Sequence, residues 1–296
     1  MWALGRCCAV EDEEVELFLL LELERLTGTP FSYRDRILVP DFRLNVLAMT
    51  DSESKDQFRF TTSELQLLVR HLKLPVPVIT TEGVRLTALD ALADCLRRMT
   101  NVGRAPSTLC HAFYFVVEHI EENFSDLLYF DDDRIVRNLD RYCHAIASKN
   151  PGGVDGVWGF IDGTVRPVCR PSKGQEALYN GHKRVHAFKF QTVVDPDGII
   201  CHLFGPVDGR RHDIYMLRES GLPHVLEGNT DFLGKLIYGD PAYGCTNVFC
   251  CPFKGCRVNT PQQEVNRGMS AVRVSVKWSY GQITRNFAYL DFKRHQ

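Results

Sequence analysis

Two aspartates in this chain share one local design. Asp162 follows the apolar run Val157 to Ile161 in the segment Gly159-Phe160-Ile161-Asp162-Gly163-Thr164, and Asp240 follows Leu236-Ile237-Tyr238-Gly239. A short apolar run of this kind reads as a strand buried in a sheet, which presents its terminal carboxylate from a rigid support. Two such carboxylates on neighbouring strands repel one another unless a cation or a proton lies between them. Hard oxygen ligands suit Mg2+ or Mn2+, and a pair of these ions activates water and steadies the leaving oxygen in phosphodiester cleavage. An Asp beside a Gly is also what an ordinary turn looks like, so at this point both readings stand.

Three further groups of residues carry chemistry. His182-Lys183-Arg184-Val185-His186-Ala187-Phe188-Lys189 interleaves basic and aromatic side chains, and Arg210-Arg211-His212 follows it. Lys183, Arg184, Arg210 and Arg211 are candidate contacts to DNA phosphates, against the plainer reading of a solvated strand edge. Asp213 is a candidate additional acid, or the N-cap of a helix over Ile214 to Arg218. Cys245, Cys250, Cys251 and Cys256 have the spacing C-x4-C-C-x4-C with no His among them, unlike a zinc knuckle, and read as buried or loop thiols. The other seven cysteines (Cys7, Cys8, Cys95, Cys110, Cys143, Cys169, Cys201) lack a framework spacing, and the total of 11 is odd. The set therefore reads as reduced thiols of a nuclear or cytoplasmic protein.

The elements that must position these residues differ in the two halves of the 296-residue chain. Residues 1–150 carry 17 Lys/Arg against 24 Asp/Glu, and residues 151–296 carry 18 against 13. An acidic helical half and a basic strand-rich half predict two domains with a boundary at Asn150-Pro151-Gly152-Gly153, the second better suited to a polyanion. In the first half, Glu13 to Leu26 reads as helical, and Thr61 to Glu64 offers caps before Leu65, Leu67, Leu68 and Leu72. Helices are expected from Thr87, from Pro106-Ser107-Thr108, and from about Asp132 to Ala147. The pair joined near Gly103 to Pro106 is a candidate helix-turn-helix, although it lacks the basic cluster of a groove-reading helix and fits a helix bundle as well. In the second half, Val185 to Val194 and Ile199 to Phe204 predict a hairpin about Asp195-Pro196-Asp197-Gly198, and a long helix is expected after Pro261. The longest apolar runs fall far short of a membrane span, and Glu11 to Glu14 stand where a secretory leader would be basic.

The second half resembles the PIF/Harbinger type of DDE transposases and their domesticated nuclease relatives. The resemblance rests on Gly159 to Thr164 (GFIDGT), Tyr179 to Gln191 (YNGHKRVHAFKFQ), Gly205 to Ser220 (GPVDGRRHDIYMLRES), Leu236 to Gly244 (LIYGDPAYG) and Asn266 to Gly281 (NRGMSAVRVSVKWSYG). These segments stand in the family's order. The helical stretch from about Phe58 to Ala147 resembles, more loosely, the region that precedes the nuclease in such proteins. The resemblance implies an α/β RNase H-like core over residues 151–296, preceded by an all-α domain over residues 1–150. It further implies a nuclear DNA endonuclease that binds a divalent metal through Asp162 and Asp240 and often works with a separate DNA-binding partner protein.

The sequence departs from that family at one residue of the site. The third acid is expected as Glu in a segment R-V-x-V-E-x-x-F-G, and the segment here is Arg273-Val274-Ser275-Val276-Lys277-Trp278-Ser279-Tyr280-Gly281. Lys277 removes a carboxylate and adds a positive charge. An ammonium ~4 Å from a divalent ion repels it by several kcal/mol even at an effective dielectric of ~20. Lys277 is thus expected to weaken the metal site, or to reach Asp162 or Asp240 and replace the metal's charge. Glu264 lies 13 residues earlier, ~20 Å along one helix, and is too far to substitute. The family usually continues for some tens of residues beyond this helix, so the nuclease-like domain reads as truncated near Gln296.

Overall fold

The computed structural model describes residues 45–81, 83–100, 107–255 and 258–290. The Glu/Leu run over residues 13–26, Cys7, Cys8, Cys256 and the turn from Gly103 to Pro106 lie outside the described residues. The chain divides into two compact units, Met1–Asn45 and Val46–Gln296, and all described elements belong to the second.

Local capping explains how the helical part begins. The polar stretch at Asp51 forms a helix, α1 (Asp51–Phe58), because Thr50 and Glu53 make a reciprocal capping box. Thr61 and Glu64 do the same for α2 (Thr62–His71). A two-residue ribbon pairs β1 (Val78–Ile79) with β2 (Arg85–Leu86). Then α3 (Ala88–Thr100) buries Ala88, Ala91, Leu92, Cys95 and Leu96, and packs on α4 (Ser107–Tyr129), which buries Ala112, Phe113 and Val116. The Arg98 guanidinium lies 4.8 Å from the centre of the Phe113 ring, so one of the basic residues ending α3 is turned into the helix pair.

Helix α5 (Asp132–Lys149), capped by Asp131, buries Ile135, Leu139, Tyr142 and Ile146 at helical spacing against the sheet that follows. That sheet comprises β3 (Val157–Pro167), β4 (Tyr179–Asn180), β5 (Val185–Val194), β6 (Ile200–Asp208), β7 (Leu236–Tyr238) and β8 (Phe249–Cys250). Strand β3 is central, antiparallel to β5 and parallel to β7. Strand β6 continues the antiparallel side beyond β5, and β8 extends the parallel side beyond β7. Short α6 (Gln175–Leu178) precedes β4, α7 (Asp213–Glu219) and α8 (Leu222–Gly228) connect β6 to β7, and α9 (Thr260–Asn286) follows β8.

The two sheet faces have different covers. On one, Trp158, Ile161, Val193 and Ile237 pack with Leu217 of α7, Leu222 and Leu226 of α8, and α5. On the other, Val157, Phe160, Val194 and Tyr238 pack with Met269 and Val276 of α9. A register shift between Val157 and Gly159 changes the alternation, so Phe160 faces α9 and Ile161 faces α7. The strands and the long helix expected from sequence are present, with β6 running on to Asp208.

Candidate active site

Asp162 does not end its strand, as the sequence suggested. It is the sixth residue of the 11-residue β3, which continues through Gly163 and Thr164 because β5 pairs with it as far as Pro167. What stops near Asp162 is the parallel neighbour. Phe160 is the last residue of β3 paired with β7, opposite Tyr238, so Asp162 and Asp240 each lie two residues beyond a shared register point. A Cβ on Gly239 would lie 2.6 Å from Ile161 Cγ2 and 3.0 Å from Tyr243 Cδ2, so the bare glycine lets the turn into Asp240 pass against β3. The Asp240 carboxylate accepts the Ala242 N–H at 2.9 Å, which fixes that turn.

Strand alternation sends the Asp162 side chain to the α9 face with Phe160. Its partner there is Arg273, at 3.6 Å, and both side chains are mostly buried. Lys277, one turn later on α9, is exposed. Among the described residues Arg273, four residues earlier, makes the ion pair with Asp162, while Lys277 acts on that carboxylate as the weaker of the two α9 cations. Burial pushes the Asp162 carboxyl above its ordinary range, with Arg273, the Gly163 N–H and Lys277 opposing and Asp213 reinforcing. Tyr280 closes this side. Its hydroxyl bonds Thr192 Oγ1, lies 3.4 Å from the Asp162 carbonyl, and is held protonated by burial to about 12.

Asp213 comes from the other face. It is the first residue of α7, with His212 at the cap position, so the expected capping role is not the one it fills. Its carboxylate meets the Lys189 ammonium at 2.5 Å, and that ammonium also donates to the Arg211 carbonyl at 2.9 Å. Gly163 makes the approach feasible: a Cβ there would stand 3.0 Å from Asp213 Oδ1. Sequence reasoning missed Tyr243. Its hydroxyl is buried without a hydrogen-bond partner among the described residues, and its ionisation is pushed well above normal by burial, then by Asp213, Asp162, Tyr280 and Asp240. A neutral phenol O–H therefore lies within electrostatic reach of all three carboxylates. Its position three residues after Asp240, within LIYGDPAYG, was the available signal.

The basic candidates are brought together at one edge. Lys183 and Arg184 are exposed in the turn between β4 and β5, and Arg210 is exposed before α7. The Asn180 side chain ties the two segments by donating to the Gly209 carbonyl at 2.8 Å and accepting the Lys183 N–H. Arg211 lies over the Tyr215 ring, 4.4 Å from its centre.

Residues 161–296 match the family model of the DDE superfamily endonuclease. The matched span begins one residue before Asp162 and takes in Asp213, Asp240, Lys277 and the whole of α9. The mixed α/β structure of the span is compatible with the DDE nuclease core of that family. No curated protein and no solved structure matches the chain.

DDE endonucleases work with divalent metal, and the residues here suit it in part. Asp162 and Asp240 are hard carboxylate donors in register on neighbouring strands. Asp213 is already bonded to Lys189, and position 277 offers an ammonium. Among the described residues no group of three or more His, Cys, Asp or Glu side chains is gathered to hold a metal ion. As hard oxygen donors Asp162 and Asp240 suit Mg2+ or Mn2+ in chemistry, whereas Asp213 is engaged by Lys189 and position 277 adds a positive charge.

Proposed function

We propose that the chain is a DDE endonuclease of transposase descent, acting on DNA phosphodiesters, whose cleavage centre keeps two carboxylates and has lost its third ligand to Lys277. The observation that carries this reading is the shared register of Asp162 and Asp240 inside the span similar to DDE endonucleases. The strand order, with β3 central and α9 following β8, supports an RNase H-like assignment, and the PIF/Harbinger assignment rests on the resemblance of the sequence segments alone. Asp162 and Asp240 would hold a divalent ion, which when bound supplies charge for phosphodiester hydrolysis. Arg273 and Tyr280 orient Asp162 from α9, Gly239 lets Asp240 approach, and the Tyr243 hydroxyl is a donor available to whichever carboxylate lacks a cation. Lys183, Arg184, Arg210 and Arg211 bind DNA phosphates along the β4–β5 and β6–α7 edge. Work in the nucleus follows from the same descent alone, and the need for a separate DNA-binding protein agrees with Arg98 being turned onto Phe113 rather than outward.

A second reading has its own support. The Arg273–Asp162 and Lys189–Asp213 pairs already neutralise two carboxylates, as expected of a DNA- or protein-binding module that no longer cleaves. Nicking of supercoiled plasmid with Mg2+ or Mn2+ separates the two. The expected outcome is metal-dependent nicking that is strongest in Lys277→Glu and lost when Asp162→Ala is added. Intact DNA binding with no nicking in any variant would leave the module as the surviving reading.

A further inference from the structure

Outside the carboxylate site, one cluster of nucleophilic side chains is built by the fold and used by nothing described above. Cys245 lies in the loop between β7 and β8, five residues after Asp240, and Cys251 directly follows β8. The loop folds back on the strand: the Thr246 N–H donates to the Phe249 carbonyl at 2.9 Å, and Thr246 Oγ1 accepts from the Val248 and Phe249 N–H groups. The turn brings the two sulfurs to 3.2 Å. That is inside ordinary non-bonded contact, and a small side-chain rotation covers the remaining distance to a bond of about 2.0 Å.

The neighbours assign different roles to Cys245, Cys250 and Cys251. Cys245 is exposed, so an oxidant can reach it. Cys251 is half-buried, and burial lifts its thiol to about 11, with the Lys254 ammonium opposing. Lys254 is itself anchored on the Pro241 carbonyl at 2.8 Å. Cys250 belongs to β8 and turns its sulfur to the Ile237 carbonyl at 3.7 Å, away from the pair.

We propose that Cys245 and Cys251 are a reversible dithiol/disulfide site, oxidised by a low-molecular-weight disulfide, that tethers the loop after Asp240 to the end of β8. The Cys245 thiolate attacks the external disulfide, forming a mixed disulfide and releasing one small thiolate. Cys251, after losing its proton to solvent, then attacks Cys245 Sγ and expels the second small thiolate, which is protonated. Two protein thiols are oxidised to one disulfide, and the external disulfide is reduced to two thiols. A pair of this kind stays reduced in a reducing compartment and closes only under oxidising load.

The test is intact mass and thiol labelling of the full chain after equilibration in glutathione buffers from reducing to oxidising. A loss of two hydrogens and of two labelled thiols is expected in the unmodified chain and in Cys250→Ser, and neither loss in Cys245→Ser or Cys251→Ser. Amide exchange over residues 241–248 should slow on oxidation in the first two proteins alone. A disulfide that persists in Cys245→Ser would assign the chemistry to the adjacent Cys250 and Cys251 and overturn the proposal. So would thiols that stay free at the oxidising limit, or a zinc ion retained by the pair in native mass spectra. None of these outcomes depends on DNA cleavage.

Discussion

At the scale of single residues, the site is shaped as much by what is absent as by what is charged. Gly239 leaves room where any Cβ would press to within 2.6 Å of Ile161 Cγ2. Gly239→Ala must therefore push β7 away from β3 or force Tyr243 aside. The expected loss is about 1–3 kcal/mol of stability, as for other overpacked interiors, with a lower urea midpoint as the measurement. An unchanged midpoint would mean that the Asp240 turn is loose enough to absorb the methyl, and then the register of the two aspartates is no constraint. Lys277 acts differently. It is exposed, and its effect on Asp162 is the lesser of the two α9 cations. Lys277→Glu should accordingly leave stability within about ±0.5 kcal/mol, as surface changes usually do. Isothermal titration should meanwhile show tighter Mn2+ binding, and equal affinity in both proteins would argue that residue 277 does not face the carboxylates.

Helices and strands carry the charges to one place, and here the Lys189–Asp213 pair joins two of them. Lys189 stands on β5 and Asp213 opens α7, and the ammonium is 9% exposed while the carboxylate is 26% exposed. Removing one partner of a buried pair strands the other charge, at a cost of about 3 kcal/mol. Lys189→Met should thus destabilise the fold by about that much, and adding Asp213→Ala should restore most of it in a double-mutant cycle. Purely additive losses would show that the two side chains are not coupled. Much at this scale was legible in the sequence. Thr61 and Glu64 predict the start of α2, the spacing of apolar residues predicts α3 and α5, and the turn Asp195 to Gly198 predicts the β5–β6 hairpin. The course of β3 past Asp162 was not, because Gly163 and Thr164 favour a turn locally and only pairing with Gln191 and Phe190 keeps them extended. Arg273 was equally hidden, since its contact with Asp162 depends on the face set by the shift between Val157 and Gly159. The aspartates themselves were readable because their type and strand context suffice.

For the molecule as a whole, pH tests the assembly, because two groups titrate with opposite signs in separate cores. His202 is wholly buried, and its Nδ1 lies 2.6 Å from the Tyr129 carbonyl while Nε2 faces the Gln191 amide at 3.3 Å. These partners suit a neutral ring that donates from Nδ1 and accepts at Nε2. Burial lowers its pKa to about 4, below the ordinary 6.5. A histidine depressed in this way contributes stability that is complete above 6.5 and is lost as pH falls toward 4, on the order of 3 kcal/mol. Asp94 on α3 is raised to about 6, by burial first and by Asp90 second. Its contribution is complete below the ordinary 3.8 and is lost as pH rises through about 6. Because Asp94 is part-exposed, solvent screening reduces it to about 1–2 kcal/mol. The histidine wins, so the folded chain should weaken by about 1–2 kcal/mol between pH 6.5 and pH 4.5 from these two groups. Urea midpoints across that range check this. His202→Asn should reverse the slope, since it keeps a donor for Tyr129 without a titrating ring and leaves Asp94 to act alone. Adding Asp94→Asn should then flatten it. A His202→Asn protein with the parent's acid slope would place the acid sensitivity in a group other than His202.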